Sequence, residues 1–228
     1  HNDPLGREVG QALWPERVPL SRLEKMRKAR PRWFRTCWQG ESEGEIGVHF
    51  QPKEWPRYLD VGDAWRIKTG INWNHYRKID CTIIHAVDLA QAGKRKSNKT
   101  AIVTGALTTD GKLLILSVLN KLLRYEENAP ALAKIYKLYE SFDGQELDCI
   151  VVSDDDMLSD AMAVECKRFS AIPPIKLLGI RSRSKIIRAQ ASIIRSQNGL
   201  FLVPDPPLDW YEEMADQLQS FTGEEGAE

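Results

Sequence analysis

The spacing of apolar and polar positions changes character near residue 80. Residues 81–89 form an apolar, β-branched run closing on Asp88 and Leu89, which predicts a buried strand. Residues 100–108 and 112–119 are two more runs of that kind. Asp110-Gly111 lies between them, a dipeptide suited to a tight hairpin turn, so the two strands are predicted to be antiparallel. Leu132, Ile135, Tyr136 and Tyr139 recur at helical spacing and predict a helix over 129–142. A short apolar strand follows at 148–152, then a helix at 157–169 and a strand at 175–178. Ile186, Ala189, Ile193 and Ile194 mark another helix, and a short strand at 200–203 and a helix at 208–221 close the pattern.

Three strands followed by alternating helices and strands predict an α/β fold, a mixed sheet with helices on both faces. The RNase H-like class uses this order, three antiparallel strands and then alternating α and β units. Residues 1–80 lack such regularity. A helix is predicted at 21–29, where Ser21 and Glu24 have capping-box spacing and Leu20, Leu23 and Met26 share a face. Six of the seven tryptophans lie before residue 80, among prolines and glycines, and this part reads as an extended linker pinned by its aromatic residues. The expected organisation is a linker or extension over 1–80 and a folded domain over 81–228.

Composition narrows the class. Apolar residues make up 42% and charged residues 28% of the 228, enough to bury a core and ordinary for a globular chain. The longest apolar stretches, such as 113–119, fall far short of the roughly 20 residues a membrane span needs, and the first twenty residues lack a signal-peptide pattern. Cys37, Cys81, Cys149 and Cys166 have no CxxC spacing and are expected to be reduced thiols in a cytoplasm. The four histidines are scattered and suggest no zinc site. The chain opens at His1 rather than a methionine, so a fragment or processed piece is expected. Residues 93–100 are basic and contain Gly93, but they lack phosphate-loop spacing, so nucleotide binding is not expected there.

Net charge is zero, 32 basic against 32 acidic residues, yet the charges are segregated. Between residues 171 and 204 stand Lys176, Arg181, Arg183, Lys185, Arg188 and Arg195, with no acid among them. From Asp205 to the end there are eight acidic residues and no basic one. The basic stretch could neutralise phosphates or form a solvated surface loop. A second basic run, from Arg22 to Arg35 with Glu24 as its only acid, reads first as a charged helix face and second as a contact for DNA or a partner domain.

Two acidic positions carry candidate chemistry. Asp88 closes an apolar strand, where a carboxylate either caps the next turn or binds a cation. Asp154-Asp155-Asp156 follows a strand and precedes a helix. Capping accounts for one or two of them, but three in succession repel one another unless a cation sits among them. Oxygen ligands of this kind suit Mg²⁺ or Mn²⁺. In the predicted topology the first and fourth strands are neighbours, so Asp88 and Asp154 would stand together. Carboxylates so paired can hold two metal ions roughly 4 Å apart, one activating water and the other steadying the leaving oxygen of a phosphodiester.

Longer motifs bring in a resemblance. Asp3-Pro4-Leu5-Gly6-Arg7, followed by Leu13-Trp14-Pro15-Glu16-Arg17, a leucine-bearing helix and the stretch from Trp33 through Cys37-Trp38-Gln39-Gly40, where the family's Y-Q-Q is altered, resembles the segment after the ATPase domain in large terminase subunits of tailed phages. Val87-Asp88, the acids after the fourth strand, the Lys185/Arg188 pair and the last helix are similar to the nuclease domain of that family. The resemblance implies an RNase H-like, metal-dependent DNA endonuclease that cleaves concatemeric double-stranded DNA with two Mg²⁺ or Mn²⁺ ions. It implies Asp88, Asp154 and Asp155 as metal ligands, Lys185 as a catalytic cation, and Arg181, Arg183, Lys185 and Arg188 on DNA. It also implies partners: the ATPase domain of the same full-length chain, the small subunit and the portal, in the host cytoplasm during phage assembly. No Walker A motif occurs in these residues, and the family's H-D-D motif is absent before Glu228. Truncation is the favoured explanation, with Glu224, Glu225 or Glu228 as the alternative source of a third carboxylate. Two rival readings stay open: a RuvC-like resolvase or transposase core, and a non-catalytic module that docks on DNA or the portal.

Overall fold

The computed structural model describes residues 11–12, 14–29, 34, 38, 49–89, 99–154, 157–168, 172–179 and 185–221, with 28, 29 and 154 as backbone. In chain order the elements are α1 (Leu20–Ala29), β1 (Arg57–Asp60), β2 (Ala64–Thr69), β3 (Asn72–Arg77), β4 (Thr82–Asp88), β5 (Thr100–Leu107) and β6 (Leu113–Lys121). Then follow α2 (Tyr125–Tyr139), β7 (Ser141–Phe142), β8 (Gln145–Glu146), β9 (Asp148–Asp154), α3 (Met157–Cys166), β10 (Lys176–Leu178), α4 (Lys185–Gln197), β11 (Phe201–Pro204) and α5 (Tyr211–Gln219). Nine of the strands make one mixed sheet in the order β10-β9-β4-β5-β6-β11-β1-β2-β3.

Strands β4, β5 and β6 are an antiparallel meander; β9 lies parallel to β4, and β10 parallel to β9. This block has the RNase H-like order predicted from sequence. The Asp110-Gly111 turn is present, with Gly111 at φ 84, a conformation glycine adopts without steric cost. A bulge between Thr104 and Gly105 shifts the register of β5 on β6. The approach is close at this point: a Cβ on Gly105 would come within 2.9 Å of Leu113 Cδ1 and 3.2 Å of the Leu114 carbonyl, so a larger residue would require Leu113 to shift.

Element boundaries moved where local chemistry outweighed periodicity. Helix α1 starts at Leu20, with the Arg22 and Leu23 N–H groups donating to the Pro19 carbonyl, so Ser21 sits inside the first turn rather than at the cap. Helix α2 starts four residues before the predicted 129, because Glu127 accepts the Arg124 N–H at 2.7 Å and closes its first turn. It stops at Tyr139, because Ser141 and Phe142 pair with Glu146 and Gln145 in a small hairpin around Asp143 and Gly144.

The largest difference lies in residues 57–77, where the sequence pattern predicts linker and the structure has three strands. β1 pairs parallel with β11, and β2 and β3 continue antiparallel to the sheet's edge. Only short alternations such as Trp65 and Ile67 mark these strands, and the charged residues between them hide the period. The aromatic residues do pin this segment, and what they pin it to is the sheet and its helices. Trp55 Nε1 donates to Ser196 Oγ at 2.8 Å, Tyr58 Oη to the Ile115 carbonyl at 2.8 Å, and Tyr211 Oη to the Pro52 carbonyl at 3.2 Å.

The core has two layers, one on each face. Leu114 and Leu202 join Tyr58, Trp65, Ile67, Ile83 and Ala106 on one face. Farther along that face, Val87, Ile102 and Val151 pack against Leu132 of α2 and Met162 of α3. Ile115, Phe201 and Val203 point the other way and meet Ile193 of α4 and Tyr211 and Ala215 of α5. Helices thus cover both faces. Among the described residues no helix is long and apolar enough to cross a membrane. Cys81, Cys149 and Cys166 are free thiols, each pushed by burial up to about 11.

Candidate functional site

Strands β4 and β9 run side by side in the same direction, and their last backbone pair is Val87 with Ser153. Asp88 and Asp154 are the next residues on the two strands. The fold therefore brings the backbones of both predicted acids to one place, the shared C-terminal end of two parallel strands. Asp88 is exposed and stands directly opposite Ala101 of β5, on the face that α4 and α5 cover farther along. Val87, one residue earlier, points into the core. The alternation that buries Val87 is what turns Asp88 outward.

Hydroxyl groups brace this corner. Ser153 Oγ donates to the Val87 carbonyl at 3.1 Å and lies 2.8 Å from Ser159 Oγ. Both serines are buried. Their bonds tie the end of β9 to the end of β4 and to the first turn of α3, fixing the chain on either side of residues 154–156. Sequence reasoning missed this pair, because a serine at the end of an apolar strand carries no distinctive spacing.

His85 lies one turn of the pleat deeper in β4. It is fully buried, with Nδ1 3.0 Å from Thr104 Oγ1 and the rings of Tyr136 and Tyr139 at 5.6 and 6.1 Å. Burial pushes its pKa down to about 4, so the ring is neutral near pH 7. Its Nε2 is buried without a hydrogen-bond partner among the described residues. His85 is a core histidine.

Lys185 and Arg188 form the first turn of α4 and are exposed. That helix follows β10 by one short connection, and Leu178 at the end of β10 pairs with Asp154. Ile186, Ala189 and Ile193 hold the helix against the sheet. Asp155, Asp156, Arg181, Arg183 and the acidic positions Glu224, Glu225 and Glu228 lie outside the described residues, as does the side chain of Asp154. Among the described residues no three His, Cys, Asp or Glu side chains are grouped closely enough to hold a metal ion. The donor chemistry of Asp88 and Asp154, oxygen only, fits a hard divalent cation.

Next to this corner, between the sheet and helices α4 and α5, is a cavity of about 530 Å³. Ala101, Val103, Val118, Met214 and Leu218 make it apolar. At its mouth Glu213 accepts from Lys99 Nζ at 2.7 Å and Asn120 Nδ2 at 3.0 Å, and the lysine holds its carboxyl below the usual range.

A five-stranded β10-β9-β4-β5-β6 block with helices on both faces defines an RNase H-like fold. Among solved structures the chain is similar to the human cytomegalovirus terminase nuclease domain, Mn-soaked with inhibitor bound, at 17% identity and a TM-score of 0.46, covering 64% of this chain and 78% of that one. It is also similar to the large terminase nuclease of thermophilic phage G20c with bound magnesium, at 16% identity and a TM-score of 0.45, covering 77% and 80%. The cobalt-bound form of that nuclease gives 15% identity and a TM-score of 0.46, covering 79% and 82%. No family model and no curated protein sequence matches the chain.

Proposed function

We propose that this chain is a metal-dependent DNA endonuclease domain of the RNase H-like class, of the kind that forms the nuclease part of large terminase subunits. The observation that carries the reading is the meeting of Asp88 and Asp154 at the ends of neighbouring parallel strands, one residue beyond the Val87–Ser153 pair. The motif resemblance around Asp3–Arg7 and Leu13–Arg17 gives it the terminase context. In this reading Asp88 and Asp154, with Asp155, hold Mg²⁺ or Mn²⁺. When bound, such ions supply an activated water and stabilise the leaving oxygen of the phosphodiester. The chain's own part is positional. Ser153 and Ser159 hold the two strand ends in register, and the exposed turn of α4 offers Lys185 and Arg188 to the phosphates, with Arg181 and Arg183 on the connection before it. The substrate is concatemeric double-stranded DNA, and the ATPase domain, small subunit and portal are the partners of the packaging motor in the host cytoplasm.

Asp88→Ala tests the reading. With Mn²⁺ and supercoiled plasmid, the variant is expected to lose cleavage by at least about a hundredfold, since even groups that only support a ligand cost 10–100-fold. Calorimetric titration of Mn²⁺ into both proteins gives a second readout, with the binding heat reduced in the variant. Equal cleavage and equal metal binding would sink the assignment.

A further inference from the structure

The β2–β3 hairpin is the far edge of the sheet, and its two faces differ. Trp65 and Ile67 point into the core at 3% and 2% exposure. Residues directly opposite in an antiparallel pair share a face. The register Ala64 with Arg77, Arg66 with His75 and Lys68 with Trp73 therefore gathers Arg66, Lys68, Trp73, His75 and Arg77 on the outward face. From residue 64 to residue 79 the chain holds Arg66, Lys68, Arg77 and Lys78 and no acid.

Two of these cations are already engaged. Arg77 is bound by Asp80 at 2.7 and 2.8 Å, and Lys78 turns to Asp60 at 2.9 Å on the other side. Arg66 and Lys68 have no carboxylate partner among the described residues. The Arg66 guanidinium lies over Trp73, 5.1 Å from the ring centroid, and its Nε is buried without a hydrogen-bond partner among the described residues. Trp73 is 40% exposed, and Ile71 at the turn is 94% exposed, so the turn end of the outward face is open to solvent. A guanidinium stacked on an indole is held in place while its other N–H groups remain available, which suits planar recognition of a phosphate.

We propose that this outward face, Arg66 with Lys68, Trp73 and His75, is a second contact for the phosphate backbone of double-stranded DNA. It is separate from the strand ends that carry Asp88. Five strand-to-strand steps separate β2 from β4, roughly 24 Å at about 4.8 Å each. About seven base pairs of a duplex cover that distance at 3.4 Å per pair. The contact is independent of base sequence, because phosphates position a duplex without reading it. The proposal rests on the reading of the chain as a DNA-acting domain and adds where the duplex is held away from the reacting phosphate.

The test is fluorescence anisotropy with the whole chain in EDTA, on two 30-base-pair duplexes of unrelated sequence, across a salt series. Arg66→Ala/Lys68→Ala is expected to weaken binding about tenfold near 0.1 M salt and to flatten the log–log salt slope by about 2, equally for both duplexes. Arg66→Lys/Lys68→Arg should keep most of the affinity, and Lys68→Glu alone, at an exposed position, should weaken binding if the double variant melts early. Unchanged duplex affinity and slope would overturn the proposal. So would a loss confined to phosphatidylserine vesicles with duplex binding intact. Charges also guard an edge strand against pairing with another chain; a variant that self-associates yet binds duplex as the parent does would assign them that role instead. Loss of cleavage in Asp88→Ala with normal duplex binding in the hairpin variant removes only the hairpin contact. The reverse result removes only the nuclease reading.

Discussion

The two flanks of the sheet present charge in opposite ways. On the β9–β4 flank, acids stand at strand ends, where topology alone decides their position: once β9 lies parallel to β4, the residues after Val87 and Ser153 must meet. On the β1–β2–β3 flank, bases are spread over a pleated face, and which ones share it depends on register; one residue of slip would exchange Arg66 and Lys68 for Trp65 and Ile67. The first arrangement can be inferred from element order. The second requires knowing how each strand pairs. What joins the flanks is a continuous apolar layer, in which Trp65 and Ile67 of β2 pack with Ile83 of β4, Ala106 of β5 and Leu114 of β6.

That shared layer gives the largest expected effect. Trp65→Ala should destabilise the whole chain by about 3–5 kcal/mol, the range for truncating a buried aromatic side chain. For a chain of this length the loss corresponds to a Tm roughly 10 °C lower. If the flanks fold as one unit, melting stays a single transition in circular dichroism and in calorimetry. A variant in which the hairpin melts early while the β4–β9 corner keeps the parent Tm would break the comparison, making residues 57–77 an appendage rather than part of the core.

Acidification probes the other flank. His85 is fully buried with its pKa lowered to about 4, against roughly 6.5 in an unfolded chain. Between those values the unfolded state binds a proton that the folded state refuses. Stability is therefore full above pH 6.5 and falls as pH drops towards 4, by up to about 3 kcal/mol. Urea melts of the parent across that range should show the slope. His85→Asn keeps a polar group facing Thr104 but does not titrate, so its slope should be nearly flat. A slope that persists in the variant would place the titrating group elsewhere.

How much the sequence revealed follows the same division. The β4–β5–β6 meander was legible because its strands are apolar on both faces and Asp110-Gly111 punctuates them. The meeting of Asp88 and Asp154 was legible because it needs only strand order. Strands β1 to β3 were not, since each buries few residues and alternates them with Arg, Lys and Asn, a pattern that resembles an irregular polar segment. The Ser153–Ser159 brace was hidden for another reason: a buried serine is recognised by its partners, and partners 66 residues apart, like Ser153 and Val87, exist only after folding.

The smallest expected effect isolates a polar contact between β3 and the turn that joins β5 to β6. Tyr76 in β3 donates its hydroxyl to Asp110 Oδ2 at 2.8 Å and accepts from Lys112 Nζ at 2.9 Å, at the β5–β6 turn. Asp110 is also held by Thr108 Oγ1 at 2.6 Å and by Lys112, and its pKa is lowered to about 2 although desolvation opposes the shift. Tyr76→Phe removes the hydroxyl but keeps the ring against the core. The carboxylate and ammonium still bind each other and water reaches both, so the cost should be only about 0.5–1 kcal/mol at pH 7. The sign follows from the lowered pKa. The stabilisation is present above about pH 4, the unfolded value, and is lost as pH falls towards 2, so parent and variant should converge in acid. Convergence instead between pH 4 and 6.5 would tie the hydroxyl to His85 rather than to Asp110. A loss at pH 7 as large as that of Trp65→Ala would mean that the flanks are held by this polar contact, and the apolar layer beneath it would then contribute far less than its burial implies.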